Sequence, residues 1–121
     1  MAKILFIEDE RRFQEVLGLK LQGEGYEIIS AFDGESGLEM AEEKKPDLIL
    51  LDLILPKKDG FEVLEALKAK PELNAIPVIV LTNLESGKDI GRCLAYGVRL
   101  YLAKANYTLD EICQKIKEVL G

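Results

Sequence analysis

The sequence predicts an α/β fold, a five-stranded parallel sheet wound with helices on both faces, and three observations carry that prediction. Short runs rich in Ile, Leu and Val alternate with amphipathic stretches in five pairs, the pattern of a sheet whose parallel strands are joined by crossover helices. The runs at 4–7, 48–51 and 78–81 are nearly continuous apolar stretches, as strands buried on both sides are. The length of 121 residues, with 48% hydrophobic and 31% charged positions, suits one domain over 1–121 and lies well below the size at which cores divide.

The elements follow in chain order. The first strand is the run at 4–7; after it Phe13, Val16, Leu17 and Leu21 fall at helical spacing and stop at Gly23 and Gly25, a glycine-marked helix end. The second strand is expected at 26–30, and a helix over 35–43 has a thin apolar face of Leu38, Met40 and Ala41. Asp33 and Asp59, each followed by glycine, read as turn or N-cap residues without chemistry. The third strand, 48–51, runs into Asp52, and Phe61, Leu64 and Leu67 form the stripe of a helix ending before Pro71. The fourth strand is expected at 78–81 and the fifth at 98–102. Between them a helix over 86–96 carries Gly87 and Gly91; each costs about 1 kcal/mol relative to alanine, so this helix is expected to be the most mobile. The last helix sets Leu109, Ile112, Ile116, Val119 and Leu120 against Glu111, Lys115 and Glu118, a strong amphipathic pattern. Thr108 and Glu111 make a capping box at its start.

Composition narrows the chemistry. There is no histidine, which excludes His-based triads, His-ligated zinc or haem, and imidazole acid/base catalysis. Cys93 and Cys113 match neither a redox pair nor a zinc knuckle and read as small buried apolar residues. Sixteen Lys and Arg against 22 Asp and Glu give a formal charge of −6, which argues against direct nucleic-acid binding. The longest apolar stretch is broken by Asp52 and falls far short of the roughly 20 residues that span a bilayer. Carboxylates at Glu8 to Glu10 arrive too soon for a signal peptide, so the chain is expected in the cytoplasm. Any chemistry must run on carboxylates, hydroxyls and lysines.

In open parallel sheets, ligands gather at the carboxyl ends of the strands. Here those ends carry Glu8-Asp9-Glu10, Asp52, Thr82 and Lys104. Asp52 interrupts a run of Leu and Ile, where a buried carboxylate without partners is expensive. Singly, Asp52 also reads as the start of a turn, and Glu8 to Glu10 as acidic residues favouring a helix N-terminus. Together, four strand ends agree on one site. Glu8, Asp9 and Asp52 repel one another unless positive charge is supplied. A hard divalent ion, Mg2+ (or Mn2+), supplies it while accepting a phosphate oxygen. Lys104 is a cation able to pair with Asp52 or with a phosphoryl oxygen, and Thr82 offers a hydroxyl donor. Asp52 then suits the role of oxygen nucleophile, forming an aspartyl phosphate.

These residues resemble a bacterial response-regulator receiver domain, the phosphoacceptor half of a two-component system. The motifs are Ile7-Glu8-Asp9-Glu10, Leu51-Asp52-Leu53-Ile54-Leu55-Pro56 with Asp59-Gly60, Val80-Leu81-Thr82, and Gly97-Val98-Arg99-Leu100-Tyr101-Leu102-Ala103-Lys104. The resemblance covers the whole chain. It implies a flavodoxin-like (βα)5 fold with strand order 2-1-3-4-5, Asp52 as phosphoacceptor, Asp9 as a direct metal ligand, Glu8 as a ligand acting mostly through water, and the backbone carbonyl of Ile54 as a further ligand. It also implies that Thr82 moves toward the phosphoryl group, that Tyr101 rotates inward, and that the surface of helix four, strand five and helix five changes for partner binding. The donor would be a histidine kinase or histidine phosphotransfer protein docking near helix one. The output would be a downstream protein or pairing of two copies through that surface, the chain being either a stand-alone regulator or a receiver from a longer protein. Such a protein assists only its own phosphorylation and dephosphorylation and is not otherwise an enzyme.

Three departures from the family pattern involve four positions. Ala105 stands where proline usually follows the lysine through a cis peptide; a cis bond without proline costs about 3 kcal/mol, so this loop is expected to leave the usual geometry. Asn83 replaces a smaller residue after Thr82 and narrows access to the phosphoryl group. Ile54 and Leu84, two residues beyond the acceptor and the threonine, place apolar bulk where nothing orients an attacking water, and slow hydrolysis is expected. An aspartate-nucleophile phosphatase needs an acid/base aspartate where Ile54 stands. A flavin-binding flavodoxin needs a phosphate loop where Glu8-Asp9-Glu10 repels phosphate. A receiver-like interaction module that is never phosphorylated is the alternative.

Overall fold

A computed structural model describes residues 1–84 and 86–121. Five strands, β1 (Lys3–Ile7), β2 (Glu27–Ala31), β3 (Leu48–Leu51), β4 (Val78–Thr82) and β5 (Leu100–Ala103), form one sheet in the order β2-β1-β3-β4-β5, and every pairing is parallel. The long helices are α1 (Arg11–Gly23), α2 (Gly34–Lys44), α3 (Gly60–Ala69), α4 (Gly87–Ala95) and α5 (Leu109–Leu120). A helical turn at Pro71–Asn74 and a 3-10 turn at Lys104–Asn106 complete the described elements. The fold is flavodoxin-like, with the strand order that the resemblance implied.

Alternation along each strand sorts the core into two layers. Ile4, Phe6, Leu48, Leu50, Ile79 and Leu81 meet Leu17 and Leu21 of α1 and Ile112 and Ile116 of α5. Leu5, Ile7, Ile49, Leu51 and Val80 meet Ala41 of α2, Val63, Leu64 and Leu67 of α3, and Cys93 of α4. The chain leaves β1 toward β2, then crosses back to β3 on the other side of β1. That reversal opens a crevice at the carboxyl ends of β1 and β3, where Glu8, Asp9 and Asp52 emerge.

Several boundaries differ from the sequence expectation, each for a local reason. β2 starts at Glu27 because the Tyr26 amide donates to Leu21 O in the last turn of α1. β5 starts at Leu100, not 98: Val98 N donates to Cys93 O, and Gly97 takes the left-handed φ of 82° that the turn out of α4 requires. β4 reaches Thr82, which pairs with Ala103. Pro71 closes α3 but also opens the extra helical turn, since proline suits a first helical position. The inward stripe of α1 is Gln14, Leu17, Gly18 and Leu21, while Val16 is 43% exposed. Asp33 and Asp59 are N-caps as expected, accepting from Ser36 N at 2.7 Å and Glu62 N at 3.0 Å, and the Thr108–Glu111 capping box is closed from both sides. No helix among the described residues is long and apolar enough to cross a membrane.

Candidate metal and phosphoryl site

The crevice gathers side chains from three strand ends. Glu8 and Asp9 follow β1, Asp52 follows β3 and Lys104 follows β5, and Lys104 Nζ lies 2.5 Å from Glu8 Oε1 and 3.1 Å from Asp52 Oδ2. Glu8 is fully buried and Asp52 is 5% exposed, while Asp9 faces solvent. The turn is pinned locally: Glu10 N donates to Glu8 Oε2 at 3.0 Å, Ile54 N to Asp52 Oδ1 at 3.3 Å, and Asp52 N to Ile7 O at 3.0 Å. Gly60 permits the tight return into α3, for a Cβ there would lie 2.5 Å from Leu53 Cα and 2.7 Å from Asp52 O.

Two carboxylates share one buried ammonium. Burial raises the Glu8 carboxyl to about 7, reinforced by the charge of Asp52 and opposed by Lys104 and the Glu10 amide. For Lys104, burial works against the charged form, but its bond to Glu8 and the charge of Asp52 prevail and raise its pKa. Glu8 Oε1, though beside Lys104, has no aligned hydrogen bond. One oxygen from each of Glu8, Asp9 and Asp52 lies within 4.8 Å of the others. An all-oxygen set of three carboxylates with one ammonium among them fits a hard divalent cation such as Mg2+ or Mn2+.

Thr82, Leu84 and Tyr101 form a second group. Thr82 is fully buried at the end of β4, and its hydroxyl accepts from Leu84 N at 3.4 Å. The Tyr101 hydroxyl donates to Leu84 O, so one hydrogen-bonded path runs from β4 to β5 through the intervening loop. Leu84 packs with Tyr101 against the α2–α3–α4 side of the core, Asn83 is exposed, and Ile54 is 59% exposed beside the acceptor. The Lys104–Ala105 peptide is trans, and the 3-10 turn follows it directly, in keeping with the departure expected from Ala105.

Two neighbours escaped the sequence reading as parts of the site. Phe13 turns its ring toward Lys104 Nζ, 4.9 Å from the centroid, within cation–π range. Gln14 is 3% exposed and reaches the carbonyls of Phe6, Glu8 and Ala31. The available signal was a glutamine in register with Leu17, Gly18 and Leu21 on one helical face.

The response regulator receiver domain family model matches residues 4–117. The Bacillus subtilis alkaline phosphatase synthesis transcriptional regulatory protein PhoP is 36% identical over 118 residues, 98% of this chain and 48% of that protein. The chain spans about half the length of the curated relatives it matches. Among solved structures, the Vibrio cholerae chemotaxis protein CheY4 superposes with a TM-score of 0.90 at 27% identity, covering 98% of both chains. The Mn2+-bound form of response regulator Rcp1 gives 0.86 at 32% identity, covering 98% of this chain and 93% of that one. With this acidic crevice, its bridging lysine and the strand order that builds them, the chain belongs to the response regulator receiver domain family, the signalling modules of two-component systems.

Proposed function

We propose that the chain is a phosphorylation-controlled switch in which Asp52 accepts a phosphoryl group from a histidine kinase or histidine phosphotransfer protein. The observation that carries this reading is the Lys104 ammonium set between Glu8 and Asp52 in a crevice of three carboxylates. An Asp52 carboxylate oxygen attacks phosphorus, forming the P–O bond as the donor's P–N bond breaks; the bonding pair stays on the imidazole nitrogen, which takes a proton from solvent. Lys104 exchanges its contact with Asp52 for one with a phosphoryl oxygen, and Thr82 donates its hydroxyl to another. Glu8, Asp9, Asp52 and the Ile54 carbonyl would hold a divalent cation, which would offset the negative charge that meets there.

The switch runs along Thr82, Leu84 and Tyr101. Drawing the Thr82 hydroxyl toward phosphate takes it from the Leu84 amide, and the Leu84 carbonyl carries that change to Tyr101. The surface of α4, β5 and α5, where Leu94 stands 56% exposed, then favours a downstream protein or a second copy. Val16 and Leu19 on α1 and Ile54 beside Asp52, at 43%, 61% and 59% exposure, offer the donor protein apolar contacts. Ile54 and Leu84 supply no group to orient water, and Asn83 narrows the approach, so the acyl phosphate is long-lived.

Intact-mass measurement after incubation with Mg2+ and a small acyl-phosphate donor tests the reading. One added phosphoryl group is expected, absent without the metal and absent in Asp52→Asn. A parent protein that gains no mass with metal and donor sinks the proposal and leaves the interaction module that is never phosphorylated.

A further inference from the structure

Gln14 occupies an inward position on α1, where an unsatisfied side-chain amide would be costly. Both ends of that amide are used. The two Nε2 hydrogens serve three carbonyls, Phe6 O at 3.0 Å, Ala31 O at 3.2 Å and Glu8 O at 3.3 Å, so one of them is shared, and Oε1 accepts from Ser30 Oγ at 3.1 Å. Phe6 and Glu8 are two residues apart, so their carbonyls project from the same edge of the strand, toward β2. Ile7, between them, gives its carbonyl to Asp52 N on the other side. β2 ends at Ala31, and beyond that point a helix side chain supplies the donor that the strand no longer provides.

We infer that Gln14 is a positioning residue for cation binding: its hold on the Glu8 carbonyl fixes the turn from which Glu8 and Asp9 face Asp52. Gln14 itself acts only through that backbone. The role has a physical reason, because three carboxylates within 4.8 Å repel one another and push the turn outward unless it is anchored. The anchor ties together β1, β2 and α1, whereas the other contacts of Glu8, from Glu8 N to Ala31 O, from Glu10 N to Glu8 Oε2 and the Lys104 ion pair at Oε1, leave its carbonyl unheld. The inference rests on the proposed divalent-cation reading of the crevice.

Mn2+ titration followed by electron paramagnetic resonance, which needs no phosphorylation, tests it in the parent, Gln14→Met, Ser30→Ala and Leu21→Val. Outer partners of metal ligands set affinity by about 10–100-fold, and Gln14→Met is expected to bind Mn2+ at least about tenfold more weakly. Ser30→Ala, which frees only Oε1, shows a smaller loss. Leu21→Val, a core truncation on the same helix, lowers the melting temperature and leaves the affinity unchanged. Parent-like affinity in folded Gln14→Met overturns the inference, as does an equal loss in Leu21→Val. If Gln14→Met does not fold, parent-like affinity in Ser30→Ala overturns it. Failure of the parent itself to bind Mn2+ is a different result, which removes the cation-site reading and the inference with it.

Discussion

Replacing Glu8 by glutamine isolates the electrostatic strain in the crevice. Glu8 is fully buried, and burial pushes its carboxyl up from an ordinary 4.5 to about 7. That difference disfavours the charged form in the folded protein by about 3 kcal/mol. Well below pH 4.5 the group is protonated in both the folded and unfolded chain and costs nothing. As pH rises from 4.5 toward 7 the unfolded chain ionises while the folded one holds its proton, so stability falls, and above about 7 the loss levels off. Glu8→Gln keeps the shape and removes the titration. In metal-free buffer, urea unfolding of parent and variant at pH 4.5 and pH 8 is expected to show the variant gaining about 3 kcal/mol relative to the parent across that interval, or roughly 10 °C in melting temperature. Comparing the pair cancels the titrating groups that do not interact with Glu8. Saturating Mg2+ at pH 8 should narrow the gap, since a ligand that prefers the ionised native pocket stabilises it by mass action. Identical pH dependence in the two proteins would refute the reasoning.

Lys104→Met leaves Glu8 and Asp52 buried without their shared cation; in metal-free buffer at pH 8 it should destabilise by about 3 kcal/mol, measured by urea unfolding, with partial recovery on adding Mg2+. Ile54→Asn combined with Leu84→Glu introduces groups that orient water, so the phosphorylated double variant should lose its phosphoryl group faster than the parent when followed by intact mass; an unchanged or slower rate counts against the shielding role. Lys45 caps α2 at a left-handed φ of 45°, and Lys45→Gly should raise stability by about 1 kcal/mol in thermal unfolding.

The two apolar layers were legible because buried parallel strands need continuous apolar runs and helices need a stripe. Thus β3 coincides with its predicted range, and β1 and β4 differ by a residue. Less regular elements were read less well. At 98–102 the turn that closes α4 consumes the first two residues of the apolar run, a competition between helix end and strand start that periodicity does not resolve. On α1 the predicted Phe13, Leu17 and Leu21 do pack inward, but Val16 is exposed and the buried Gln14 was missed, because burial follows hydrogen-bond satisfaction as well as hydropathy.

Residue type and position along the chain already placed Glu8, Asp9, Asp52, Thr82 and Lys104 at strand ends, since a parallel sheet sends all its carboxyl ends to one edge. Chain folding alone brought the Lys104 ammonium between Glu8 and Asp52, hung the Tyr101 hydroxyl on Leu84 O, and ran the Gln14 amide to three carbonyls. Such contacts join residues from different elements and depend on distances of a few ångströms, which local propensity does not encode; strand order, helix rotation and burial set them.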